Sequence, residues 1–192
     1  MIRALGRRIR GWRAGAEHRT AEDDRFFDVP HTIELHSDAF ASGEPLPSSR
    51  LSPPLRWSGV SATARCLALV VEDVDVPLLR PRVHAIAYAI DPATTSFDEG
   101  ALADAPGPRS KDDLQVTLGY NGTGRLGYNG AGRLAYEAPA PLPGHGPHHY
   151  VFTLLAIDFM PRFDQPPTKG RLLDAIGGHV IALGELVGTA ER

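Results

Sequence analysis

Short apolar segments separated by turn-forming residues dominate the chain from about residue 29 onward. Pro30, Gly43, Pro45, Pro47, Pro53, Pro54 and Gly59 divide the first part of this region into pieces too short for long helices. Thr32–Phe40 (TIELHSDAF) alternates in part, and Cys66–Val71 is a continuous apolar run of the kind a central strand shows when both its faces are buried. Val83–Ile90 (VHAIAYAI) predicts another strand. Strict alternation there sets His84, Ile86, Tyr88 and Ile90 on one face and Val83, Ala85, Ala87 and Ala89 on the other. Tyr150–Ile157 (YVFTLLAI) is the clearest strand of all. Leu172, Leu173, Ile176, Val180 and Leu183 recur at helical spacing and predict a helix near the C-terminus. Gly177 and Gly178 interrupt it, and Ala182–Val187 reads equally as the start of a last strand. The pattern predicts a mostly β domain with a little C-terminal helix.

Residues 1–28 follow a different rule. Ile2, Leu5, Ile9 and Trp12 recur at helical spacing among Arg3, Arg7, Arg8, Arg10 and Arg13, which predicts a basic amphipathic extension ahead of a domain over 29–192. The first 20 residues carry six arginines and one glutamate, a local +5, against a net charge of −3 for all 192 residues. Such a segment suits an anionic membrane surface or a docking partner, or else is a frayed tail or a helix packing on its own domain or a second subunit. The near-balanced total offers no basic field for nucleic acid. The one cysteine, Cys66, excludes an internal disulfide and a thiolate zinc cluster. No run approaches the roughly 18 apolar residues of a membrane span, and the N-terminus lacks the apolar stretch of a secretory signal. The expected location is cytoplasmic, and peripheral membrane contact through residues 1–28 is the less favoured alternative. An eight-residue tandem copy, LGYNGTGR then LGYNGAGR from Leu118 to Arg133, reads as a duplicated loop built on Asn-Gly turns.

Candidate chemistry gathers at strand ends. Asp73 and Asp75 follow the Cys66–Val71 run, His84 lies in the VHAIAYAI strand, and His145, His148 and His149 precede Tyr150 in PGHGPHHY. Residues two positions apart in an extended segment point the same way, which pairs Asp73 with Asp75 and His148 with Tyr150. Imidazole N–H and phenol O–H groups satisfy phosphate oxygens, and a nearby carboxylate orients a histidine. Separate satisfaction of these residues on surface loops is the plainer alternative. A hydrolase reading has weak support: His145-x-x-His148 with Asp73 is a loose zinc set, and the chain has neither G-x-S-x-G nor H-E-x-x-H.

Three segments taken together resemble the phosphatidylethanolamine-binding protein family, which includes Raf kinase inhibitor protein and bacterial relatives. They are LSPPLRWSGV (51–60) with ALVVEDVDVP (68–77), the histidine strand 82–90, and APLPGHGPHHYVFTLLAID (140–158). The resemblance implies a Greek-key antiparallel β-sandwich and a pocket for phosphate-type anions or phospholipid head groups. It places that pocket on Asp73, His84, His148 and Tyr150, with Pro141 at its rim. It implies no cofactor, no metal and no enzymatic step, and it allows a protein partner such as a kinase or protease as the alternative target of the same pocket. It also implies a cis bond at Val76–Pro77. The chain departs from the family pattern at Val74, Val76, Ala85, His149 and Ala190.

Overall fold

The computed structural model describes residues 2–102 and 135–192 together with the backbone of 117–118. Apart from Leu118, the tandem LGYNGxGR segment lies outside the described residues. Two antiparallel sheets face each other. The smaller joins β1 (Glu34–His36), β2 (Leu55–Ser58) and β5 (Ser96–Phe97) in that order. The larger contains β3 (Cys66–Asp73), β4 (Arg82–Ile90), β6 (Thr117–Leu118), β7 (His148–Ile157) and β8 (Val180–Ala190). Its spatial order is β6-β4-β3-β7-β8, so β7 returns to lie beside β3 after the β3-β4-β6 meander, which is a Greek key.

The central strand is β3, and all eight of its residues are buried. One face packs Leu67, Leu69, Val71, Phe152 and Leu154 against Leu35, Leu55, Trp57 and Phe97 of the small sheet. The other packs Ala68, Val70, Leu155 and Ile157 under Leu172, Leu173 and Ile176 of helix α2 (Lys169–Ile176) and under Phe26. The continuous apolar run therefore has a two-sided cause. Burial pushes the Cys66 thiol up to about 11, and its Sγ donates to the Phe159 carbonyl at 3.2 Å.

Helix α2 begins at its cap Thr168, whose hydroxyl accepts from the Arg171 N–H, and stops at Ile176. Gly178, at a φ of 78°, turns the chain back. Val180 and Leu183, which fit a helical period, belong to β8 instead and pack on the same side of the sheet as the helix.

The alternation expected for β4 breaks twice. Val71 pairs with Ala85 but Glu72 pairs with Val83, so His84 is an extra residue in a β-bulge. A second register shift lies between Leu67 and Leu69, beside Ala89 with its left-handed φ of 55°. As a result Ile86 and Tyr88 face α2 together with Val83, while Ala85, Ala87 and Ile90 face the small sheet.

The first 28 residues are folded onto the domain. Helix α1 (Ile2–Arg8) lies against the loop before β7 through Gly6, where a side chain would collide with the Pro143 carbonyl. Beyond it the Ala14 and Gly15 N–H groups donate to the Val76 and Val74 carbonyls. Thr20 and Phe26 are buried, and the Thr20 N–H and hydroxyl donate to the fully buried Glu72 carboxylate at 2.8 and 2.6 Å. Lys169 of α2 pairs with the other oxygen of Glu72. No helix among the described residues is long and apolar enough to cross a membrane.

Candidate functional site

Asp73 ends β3 directly opposite Tyr150 of β7, and His148 stands two residues before Tyr150 on the same face. That placement lets the His148 Nδ1–H donate to Asp73 Oδ2 at 2.8 Å. The bulge in β4 turns His84 toward the same spot, where its ring meets Tyr150 edge-on at a centroid distance of 5.1 Å. All four side chains are between 1 and 3% exposed. Convergence therefore holds for Asp73, His84, His148 and Tyr150, and they are enclosed rather than lining an open cleft. Pro141 is buried one residue past Ala140, whose backbone lies close to the Tyr150 hydroxyl. A surface cavity of about 120 Å³, bordered by Leu46, Pro53, Glu99 and Tyr136, opens elsewhere and includes none of the four.

The His84 Nδ1–H donates to the Glu137 backbone carbonyl at 2.7 Å. Burial pushes His84 below its usual value, against the raising influence of that bond and of the Asp73 and Glu137 carboxylates. The ring is then a neutral imidazole whose Nε2 carries a lone pair. Burial, reinforced by the Asp73 charge, holds the Tyr150 phenol far above its ordinary range, which keeps it a donor. Among the described residues, neither His84 Nε2 nor the Tyr150 hydroxyl has a partner at hydrogen-bond geometry, although Asp73 and the Ala140 backbone lie close to the phenol. A third such atom, Trp57 Nε1, belongs to the interior between the sheets, where its ring meets Phe97.

Asp75 does not join Asp73 in the site. Its N–H donates to Asp73 Oδ1 at 2.9 Å, which turns its own carboxylate to the His149 N–H, the His149 ring and Arg13. Burial opposes ionisation of Asp75, but Arg13 and His149 outweigh it and hold the carboxyl below its usual range. The expected cis bond at Val76–Pro77 is absent, since no described peptide bond is cis. A trans bond suits the tight turn in which the Leu78 N–H donates to the Val76 carbonyl across Pro77.

A scan against family models matches residues 36–191 to the family described as phosphatidylethanolamine-binding protein. The chain belongs to the phosphatidylethanolamine-binding protein family. A Chlamydia trachomatis relative named UPF0098 protein is 34% identical over 173 residues, covering 83% of this chain and 99% of that one. A Pyrococcus abyssi UPF0098 protein is 34% identical over 142 residues, covering 74% of this chain and 72% of that one. The crystal structure of a phosphatidylethanolamine-binding protein homologue from Chlamydia trachomatis superposes with a TM-score of 0.69 at 31% identity, covering 84% and 99% of the two chains. That of Escherichia coli YbcL, described as a member of the mammalian family, gives 0.70 at 22% identity over 84% and 99%, a likeness of fold.

The arm that precedes the phosphatidylethanolamine-binding protein match adds a feature the sequence did not foretell. His145 Nδ1 faces His148 Nε2 at 2.8 Å, and His145 Nε2 lies 3.0 and 3.1 Å from the carbonyls of Ile9 and Trp12. The chain of bonds ends on acceptors at both sides, a carboxylate and two carbonyls. Filling its three links requires three protons, one more than an ionised Asp73 and two neutral imidazoles hold. The two facing nitrogens of His145 and His148 are thus committed to each other rather than to a common metal position. Glu137 was also missed: its carbonyl holds His84 while its carboxylate pairs with Arg82 at 2.7 Å.

Proposed function

We propose that this protein binds a small phosphate-type anion, free or as a lipid head group, between Asp73, His84, His148 and Tyr150, with Pro141 at the rim and no chemical step on the ligand. The reading rests on one observation: His84 Nε2 and the Tyr150 hydroxyl are buried, adjacent and unpartnered among the described residues. Leaving such a group unpaired costs about 1–3 kcal/mol, and in native proteins such exceptions call for a functional reason. The phenol donates to one ligand oxygen. The Nε2 lone pair accepts from a protonated phosphate oxygen, or takes a proton as the anion enters. Either route brings one proton in with the ligand. Asp73 and His148 supply a fixed polar wall, since Asp73 is engaged by the Asp75 N–H and His148 uses both ring nitrogens. That commitment of His148 favours a binder over a catalyst that needs it as a base.

Isothermal calorimetry with inorganic phosphate and O-phosphoethanolamine, run in two buffers of different ionisation enthalpy, tests the reading. Saturable binding with proton uptake is expected, weakened at least about tenfold in His84→Gln and Tyr150→Phe, as removal of a charge-assisted hydrogen bond predicts. Unchanged affinity in both variants would overturn the site.

A further inference from the structure

Five of the eight most exposed large apolar side chains among the described residues lie in two adjoining segments. Ile2 (61%), Leu5 (53%) and Trp12 (56%) are on the arm, and Leu78 (38%) and Leu79 (77%) are on the loop after β3. The segments adjoin because the Ala14 and Leu78 N–H groups donate to the same Val76 carbonyl, at 2.9 and 2.8 Å.

The orientation of the arm is fixed from below. Gly6 and Gly144 allow α1 to touch the loop before β7 backbone to backbone, Arg13 pairs with Asp75, and His145 bonds the Ile9 and Trp12 carbonyls. The apolar stripe of the arm therefore points away from the domain, not into it. Around it, Arg3, Arg7, Arg8 and Arg10 make no ion pair among the described residues, Arg80 is exposed on the adjoining loop, and no acidic residue precedes Glu17.

We infer that this outer face of residues 2–13 with Leu78 and Leu79 is a docking surface for an anionic phospholipid bilayer. Apolar side chains interleaved with unpaired cations of one sign match the interfacial layer, where acyl chains lie beneath phosphates and an indole sits at head-group depth. A second copy of the chain would bring the same arginines against each other, which argues against self-association. With only a few inserting side chains, neither the apolar nor the electrostatic contribution holds the protein alone, so binding needs both. The surface stands on its own observations, whatever the enclosed site holds.

The test uses the full chain with vesicles of phosphatidylcholine alone or mixed with phosphatidylglycerol. Trp12 is exposed and Trp57 is 3% exposed, so a blue shift of tryptophan emission on binding reports Trp12. Co-sedimentation with the mixed vesicles, a blue shift and release by high salt are expected, with little binding to phosphatidylcholine. Arg7→Glu with Arg8→Glu should cut vesicle partitioning at least about tenfold, as should Trp12→Ser, with thermal unfolding unchanged. Equal partitioning on neutral vesicles, no vesicle binding, or wild-type partitioning of both variants would overturn the inference. So would self-association that shields Trp12 in sedimentation velocity.

Discussion

His145 Nδ1 lies 2.8 Å from His148 Nε2, and through this contact the N-terminal arm reaches the Asp73 carboxylate. His145→Ala would leave His148 Nε2 and the Trp12 carbonyl without their partner, while the Ile9 carbonyl keeps the Trp12 N–H, at a cost of about 1–3 kcal/mol. Chemical denaturation should show that loss, and trypsin should cut sooner at the arm's arginines. Wild-type rates of cleavage would show that the bond does not hold the arm.

Gly6→Ala tests the same contact from the other side. A Cβ there would sit 2.3 Å from the Pro143 carbonyl oxygen, an atom of the backbone that cannot swing aside. Alanine raises helix propensity by about 1 kcal/mol, so a substitution that stabilises an isolated helix should here release it. The expected result is rapid tryptic loss of the arm with the remaining domain intact. An arm as resistant as wild type would mean that the packing is looser than described.

Tyr150→Phe separates stability from binding. Its hydroxyl is buried without a partner among the described residues, so deleting it removes a desolvated group and should leave unfolding free energy unchanged or raised by up to about 1 kcal/mol. Phosphate affinity should fall in the same variant. A stability loss of several kcal/mol would instead reveal a structural bond.

Burial lowers the folded value of His84 below its ordinary 6.5. The unfolded chain therefore takes up a proton first as pH falls, and stability present above about pH 6.5 is lost on acidification below it. Urea unfolding at pH 7.5, 6.5 and 5.5 should show the decline, with a shallower slope in His84→Gln. Asp75, held below its usual range, gives up its contribution only in more acidic solution. Identical slopes in the two proteins would assign the decline to other groups.

The Glu72 carboxylate is fully buried between Thr20 and Lys169. Lys169→Met strips its counter-charge and should cost about 3–5 kcal/mol. Glu72→Gln removes the charge itself and should cost less. A ranking in the opposite order, by denaturant midpoint, would contradict the pairing.

The sequence pattern was most informative where one strand decides the outcome. The apolar run of β3 and the Tyr150–Ile157 segment are strands, and the residues that the family resemblance placed together, Asp73, His84, His148 and Tyr150, do converge. What local pattern could not carry is pairing between strands. His84 reaches the site because two of its strand's residues oppose one of β3, and no periodicity within VHAIAYAI encodes that bulge. Val180 and Leu183 mimic a helical period because strand and helix here cover the same side of the sheet. His145 and the Ile9 carbonyl are 136 positions apart, so their bond has no local signal at all.

Glu72 has a structural consequence for the boundaries of the domain. The family match starts at residue 36, yet the buried carboxylate near the end of β3 takes two of its hydrogen bonds from Thr20, and Phe26 packs in the layer under α2. A polypeptide trimmed to the shared span would bare an acid that the interior cannot solvate. Glu72 thus ties residues ahead of the family match into the interior, and those leading residues are masonry as well as ornament.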